Sequence, residues 1–369
     1  MGRPGKKFGP HAFHFVRIMP ITDLQLGLAI AGGLVLAGVV AHGAWLSRRN
    51  TPRQARADDN QPSLDPIQPR DLLEPVLDAD ALAGHAETPV VPGPEKRAGL
   101  DALIDVIAPI ALDNAVSGEA AVGAMPPTRR VGSKPFAIEG LNAAHRQWEI
   151  PASGQRYDAF QAGVQLANRS GALNDIEYSE FVIKTQAFAD AMNGAPEFPE
   201  MRDEVARARE LDSFAGDHDA QLSFTLRARN TAWSPGFIAQ NAARLGFVAG
   251  VIPGRMVLPA STPGMPPVLG LGFDAQAALA DDPTQAAVRD VTLSLDVPQV
   301  ERAERPFVRL RESASALAQA MDGVVTDDNG QPLPTDAMDL IGSELEKLYD
   351  TLEDRDIAAG SQLARRLFS

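Results

Sequence analysis

Leu24 to Leu46 reads LQLGLAIAGGLVLAGVVAHGAWL, 23 residues without a formal charge. As a helix it is roughly 34 Å long, enough to cross a hydrocarbon core of about 30 Å with a modest tilt. No second stretch of this kind follows. Thr22 or Asp23 caps its start, Trp45 falls at interfacial depth, and Arg48, Arg49, Arg53 and Arg56 come at once after it. The arginine cluster marks the cytoplasmic side, so the reading is a single span with the N-terminus outside and the bulk of the chain in the cytoplasm. Trp45 and the four arginines are then the anchor and topology residues. Arg3, Lys6, Lys7 and Arg17 nearly balance that bias, whereas a start at Met19 leaves only MPITD ahead of the span and one clear orientation. The competing reading is a cleaved signal peptide with Ala41-His42-Gly43 at the cleavage site. Its apolar region would exceed the usual roughly 7–15 residues, and the arginines behind it oppose export. Ala29, Gly33, Ala37 and Ala41 form a stripe of small side chains that lets another helix approach, so self-association through the span is one expectation.

The remainder is acidic. Residues 1–99 hold 11 Lys+Arg against 10 Asp+Glu, leaving 23 against 38 for the rest of the 369-residue chain. Such a body disfavours nucleic acid and repels anionic headgroups. There is no cysteine, which removes disulfides, thiol nucleophiles and cysteine metal sites together and suits a cytoplasmic protein. With 44% hydrophobic residues the chain buries a sizeable core.

From Asn50 to about Ala98, prolines 52, 62, 66, 69, 75, 89, 92 and 94 interrupt small polar residues, the composition of a linker. Beyond Gly99 strands alternate with capped helices. Leu222, Phe224 and Leu226 alternate with Ser223, Thr225 and Arg227; Val291, Leu293, Leu295 and Val297 alternate with Thr292, Ser294 and Asp296. Phe160 to Leu166 repeats the device, with Gln161, Gly163 and Gln165 outward. Ser234-Pro235 opens a helix that Gly246 closes, Asn174 with Glu177 resembles a capping box, and Pro306 opens a helix reaching Gly323. After Thr335, Ile341, Leu345, Leu348 and Leu352 keep one apolar stripe. The pattern predicts an α+β fold, antiparallel sheet with helices on one face. Strand, long helix, short segment and second helix recur at 159–215 and 290–358, which reads as two tandem modules. The expected organisation is a flank 1–23, a span 24–46, a basic then Pro-rich linker 47–99, a first α+β module 100–217 and a second module 218–369.

Val291-Thr-Leu-Ser-Leu-Asp-Val-Pro298, the helix after Pro306, and Met321-Asp-Gly-Val-Val-Thr-Asp-Asp-Asn-Gly330 leading into the final helix resemble the C-terminal domain of the ZipA family. That family comprises bacterial division proteins tying the tubulin-like FtsZ to the inner membrane. The layout agrees: outside N-terminus, one span, an arginine cluster, a Pro-rich linker and this domain last. The resemblance covers the span and roughly 218–358, while 100–217 is a further domain. It implies a split β-α-β fold, no enzymatic activity, and an open sheet face that receives the FtsZ C-terminal tail in a shallow apolar groove. The outward residues of the matching strands include Ser223 and Ser294, small and polar where larger apolar groups are expected. Ile252, Met256, Leu258 and Leu271 remain as candidate groove residues.

The alternative class is a membrane-anchored small-ligand, nucleotide-binding or enzymatic domain. Gly270-Leu-Gly272-Phe-Asp-Ala275 has the glycine pattern of a dinucleotide-binding turn, yet Pro263, Pro266 and Pro267 crowd the place where a buried strand is needed. The six histidines, at 11, 14, 42, 85, 145 and 218, have no partner at ligand spacing, so neither metal nor cofactor is expected. Asp327-Asp328-Asn329-Gly330 reads as a turn. No nucleophile has a base in sight, and no catalytic residue is assigned.

Overall fold

Alternation makes the strands. In Asp105–Ser117 the side chains of Val106, Ala108 and Ile110 are fully buried, whereas Pro109 and Ala111 on the other side are exposed. The computed structural model describes residues 53–54, 99–280, 282, 286–327 and 329–369. The expected span at 24–46, Trp45, Arg48, Arg49, Arg56 and most of the linker lie outside the described residues. Among the described residues no helix is long and apolar enough to cross a membrane.

The architecture is α+β, with antiparallel sheets and helices. One sheet holds β1 (Asp105–Ser117), β2 (Arg130–Val131), β3 (Lys134–Asn142), β4 (Trp148–Glu149), β5 (Arg156–Gln165) and, beyond the small hairpin β6 (Ala167–Asn168) and β7 (Gly171–Ala172), β8 (Gly194–Pro196). Its order is β2-β3-β5-β1-β8, with β4 pairing β3. Three helices belong to it: α1 (Gly118–Ala124), α2 (Asp175–Ala191) and α3 (Met201–His218). The other sheet, in the order β10-β11-β12-β13-β9-β14, is built from β9 (Gln221–Ala228), β10 (Val248–Ala249), β11 (Arg255–Leu258), β12 (Leu269–Gly272), β13 (Asp290–Asp296) and β14 (Gly323–Thr326). Its helices are α4 (Pro235–Ala243), α5 (Ala275–Ala278), α6 (Pro306–Met321), α7 (Thr335–Asp354) and α8 (Gln362–Leu367). The runs β3-β5-β1-β8 and β12-β13-β9-β14 have the same connectivity: the first strand lies between the strand that precedes the long helix and the short strand that follows it.

The helices begin where local chemistry directs. Asn174 Oδ1 accepts the N–H groups of Ile176 and Glu177 while the Glu177 carboxylate accepts Asn174 N–H, a complete capping box. Ser234 Oγ accepts Phe237 N–H, with Pro235 in the first helical position. α6 ends one residue earlier than expected: Asp322, not Gly323, takes the left-handed conformation (φ 57). Gly323 instead opens β14, where a Cβ would sit 2.7 Å from Leu226 Cδ1.

Each sheet buries one face under its long helix. Met256, Leu271, Leu293 and Phe224 stand opposite one another across four strands, and Leu310, Ala314, Leu317 and Met321 of α6 belong to the same buried core. On the first sheet Phe160 meets Phe188 of α2 edge-on at 5.0 Å, and Phe136 meets Phe181 at 6.1 Å. The outward positions of β5 differ from expectation. Gly163 is buried because Leu100 lies on it, and a Cβ there would be 2.4 Å from Leu100 Cδ2. Gln165 is buried because its amide donates to the carbonyls of Ala167 (2.6 Å) and Arg366 (2.8 Å).

The second of those contacts belongs to a junction between the sheets. α8 packs between β6 and the 3-10 turn Val297–Gln299, with Leu367 and Phe368 buried. Arg366 reaches Asp105 at 2.5 Å, and the Gln299 amide donates to the Phe368 carbonyl at 2.7 Å. Arg169 joins Asp219 at 2.6 Å and Asp296 at 2.8 Å. Arg355 stacks over Phe214, 4.5 Å from the ring centroid. Arg53, expected in the linker, is attached to the second module: its N–H donates to the Ala232 carbonyl, its carbonyl accepts Ser234 N–H, and its guanidinium reaches the Met321 carbonyl and Asp322 (both 3.3 Å).

Candidate functional site

The faces away from the helices are where side chains remain accessible, and the two sheets make them from different material. On the second sheet the cross-strand pairing sets out rows. Val248, Val257, Gly270, Ser294 and Ser223 form one; Arg255, Gly272, Thr292, Thr225 and Thr326 form the next. Two glycines in β12 leave the middle strand without side chains, and the hydroxyls of β13 and β9 continue the floor. A Cβ on Gly270 would lie 2.6 Å from Ser294 Oγ, and one on Gly272 would lie 2.5 Å from Arg255 Nη1. The Arg255 guanidinium therefore lies across β12, and it makes no ion pair among the described residues. Val257 and the exposed Val248 wall one side, and Arg227, held by Asp290 at 2.8 Å, closes the end. The surface is a shallow trough with a polar floor, an apolar wall and, in Arg255, a cation without an ion pair among the described residues.

Ser223 and Ser294 do lie on this face, directly opposite each other. Ile252 is exposed in the turn between β10 and β11, beside the fully exposed Val251. Met256, Leu258 and Leu271 are corrected. They are 7%, 5% and 1% exposed, on the helix-covered face, and line no open groove. The reason is that Arg-Met-Val-Leu and Leu-Gly-Leu-Gly carry apolar residues at both parities or none at one, so alternation does not say which way the strand turns. Pairing to Leu293 and Phe224 decides it. Sequence reasoning missed Val257 and Arg255, whose signal was their parity relative to Met256.

The first sheet offers a more apolar outer face. Ala111, Ala159, Leu141 and Trp148 stand in one row; Ile107, Gly163 and Ala137 form another. Trp148 is 43% exposed. Leu100 already occupies part of this face: its N–H donates to Glu139 Oε1 at 3.1 Å while the Gln161 amide holds Oε2 at 2.8 Å.

Chemistry of other kinds is poorly supported. The glycine-rich stretch 270–275 is an antiparallel strand followed by a four-residue helix, with none of the parallel βαβ geometry a dinucleotide needs. Lys134 is buried, which lowers its pKa, yet its ammonium donates to Ser133 Oγ (3.0 Å), Asn168 Oδ1 (2.9 Å) and the Gly171 carbonyl (2.5 Å). All three protons are used in tying the β2–β3 turn to the β6–β7 hairpin. Among the described residues no three His, Cys, Asp or Glu side chains converge as metal ligands. Asp327 Oδ1 accepts the N–H groups of Asn329 and Gln331, which makes that stretch a turn.

With this geometry in place, comparison with known families is decisive for one stretch. Residues 279–343 match the ZipA, C-terminal FtsZ-binding domain. The match covers β13, α6, β14 and the start of α7, so this ZipA-like segment supplies Thr292 and Ser294 to the open face, while Thr326 is buried with its hydroxyl on the Thr225 carbonyl. Strands β9 to β12, which supply the rest, lie outside it. No curated protein matches the chain.

Proposed function

We propose that this protein is a membrane-anchored, non-enzymatic adaptor of cell division that binds the FtsZ C-terminal tail and holds FtsZ at the inner membrane. One observation carries the reading: the ZipA C-terminal FtsZ-binding match falls on two strands of a sheet whose outer face carries no helix among the described residues and is graded from apolar wall to polar floor. An extended peptide with an adjoining helical turn fits that face. Val248 and Val257 take an apolar side chain, and Arg255, whose guanidinium lies over Gly272, takes a carboxylate. Little apolar area is offered at roughly 25 cal/mol per Å², so each contact is weak and avidity among anchored copies supplies retention. The anchor is the span 24–46, with Trp45, Arg48, Arg49 and Arg56 at its inner end, Arg53 being held instead by the folded body, and the modules 100–217 and 218–369 in the cytoplasm. A reporter active only in the cytoplasm, fused after Ser369, is expected to be active; an inactive fusion there, with a periplasm-only reporter active at the same point, would reverse the orientation.

A second reading places the tail on the first sheet, because Trp148, Leu141 and Ala159 make the larger apolar surface there. Titrating labelled FtsZ tail peptide against the full chain separates the two. On the first reading Val257→Glu and Ser294→Lys each weaken binding about tenfold, or about 1.4 kcal/mol, and Trp148→Ala leaves it unchanged. The reverse pattern transfers the site to the first sheet, and binding indifferent to all three removes both faces.

A further inference from the structure

We propose that the tip of the β10–β11 hairpin, with Val251, Ile252 and the neighbouring Leu279, inserts into the interfacial layer of the bilayer and gives the folded body a second hold on the membrane. The proposal rests on the reading of 24–46 as a membrane span. The three side chains are 102%, 63% and 67% exposed. A tight turn holds the first two out: Gly250 N–H donates to the Arg255 carbonyl at 2.9 Å, and Arg255 N–H to the Ile252 carbonyl at 3.0 Å. Gly254, in the left-handed region (φ 75), lets α5 close against this turn, since a Cβ there would lie 2.7 Å from the Phe273 carbonyl oxygen and 3.2 Å from Ala275 Cα. Leu279 follows one helical turn on, its N–H donating to the Ala275 carbonyl at 3.0 Å. Apolar groups grouped on a braced, projecting tip mark a contact surface.

The place of Arg53 says what that surface faces. Pairing runs from Arg255 to Gly272 to Thr292 across β11, β12 and β13, and the same register carried outward brings Val251, Gln276 and Val288 to one end of the sheet. Val288 bridges Trp233, and Trp233 bridges Arg53. The hairpin tip and Arg53 therefore share that end, four strand spacings or roughly 19 Å apart. Arg53 stands seven residues beyond Leu46, the last residue of the apolar run. Seven residues reach at most about 25 Å, so this end of the second sheet is confined to the neighbourhood of a headgroup layer that is itself roughly 5–8 Å thick.

The charges there favour burial of apolar groups over attraction to anionic headgroups. Arg53 is paired with Asp322 and Arg227 with Asp290, and Asp281-Asp282 follows Leu279 in the chain. A zwitterionic interface accepts such a tip without needing cations. The apolar area is small, but the span makes the contact intramolecular, and effective concentration makes a small area sufficient.

The chain has no cysteine, so a single introduced one takes a label without interference. The test places the full chain, one copy per phosphatidylcholine nanodisc containing nitroxide-labelled lipid, with an environment-sensitive fluorophore on Val251→Cys. Two further chains carry the label on Ile176→Cys, an 81% exposed position of α2, and on Val35→Cys within the span. Quenching at 251 is expected to be at least threefold stronger than at 176, and Ile252→Asp in the Val251→Cys chain is expected to lower it to the level at 176. Because Val251 is fully exposed, the labelled chain is expected to melt with the parent. Quenching at 35 with none beyond the level of 176 at 251 overturns the hairpin contact and leaves the span; quenching at neither 35 nor 251 overturns both. Quenching at 251 that survives Ile252→Asp also overturns the proposal. One copy per disc keeps a second chain from covering the tip, and none of the labelled positions belongs to the rows of the open trough, so the result does not depend on FtsZ tail binding.

Discussion

Gly163 and Leu100 show how much one absent methyl group decides. With Leu100 lying on the glycine, the chain entering the fold is fixed to the outer face of the first sheet, and Glu139 is drawn in to accept its N–H. Gly163→Val is expected to destabilise by about 1–3 kcal/mol through overpacking. In a Leu100→Ala background that cost should vanish, a coupling measurable by denaturant unfolding of the four chains of a double-mutant cycle. Asp105 gives a pH signature. Burial raises its carboxyl above the usual range, with the Arg366 guanidinium opposing that rise only in part. The folded state therefore holds this proton to higher pH than the unfolded state, and the group's contribution to stability falls as pH rises from about 4 through its raised value. Subtracting the melting profile of Asp105→Asn from the parent's should reveal that downward slope; a difference that rises with pH would contradict the assignment.

Helix ends carry the next scale. α6 stops at Asp322 in a left-handed conformation, and Arg53 uses this end as a landing point, with its guanidinium on the Met321 carbonyl and the Asp322 carboxylate. A cation at a helix C-terminus is favourable, but the ion pair is exposed and is worth only about 0.2–1 kcal/mol. Asp322→Gly should therefore be close to neutral, the relief of the left-handed residue, about 0.5–1 kcal/mol, offsetting the lost pair. Combined with Arg53→Ala the same substitution should show its full gain, which thermal melts of the single and double variants resolve. The short stretch at Arg53 thus joins the folded body through backbone pairing with Ala232 and Ser234, a contact that linker composition gave no sign of.

For the whole molecule the junction matters most. Phe368 is buried where α8, the Val297–Gln299 turn and the β6–β7 hairpin meet, and Arg169 bridges acidic residues on both sides of it. Phe368→Ala is expected to cost about 3–5 kcal/mol, with calorimetry separating one unfolding transition into two if the sheets are coupled mainly here.

Much of this was written in local signals. Asn174 with Glu177, Ser234-Pro235 and the alternation of Val291 to Val297 each depend on contacts within a few residues, so the helices they open and the strands they form could be placed from the chain alone. Ser223 and Ser294 were legible for the same reason, because every second residue of a strand with one apolar parity must face away from the core. Met256, Leu258 and Leu271 were not, since Val257 puts an apolar residue on the other parity of β11 and the alternates in β12 are glycines, and only pairing with β13 orients the strands. The same holds for Gln165, whose outward position became buried when α8 closed over it, and for Arg302 and Glu346, which are 44 positions apart and meet through helix packing. Local propensity and parity are properties of short segments and are carried by the sequence itself; which face is covered, and which distant polar groups share a cavity, is settled only when the elements pack, because burial depends on what arrives from elsewhere in the chain.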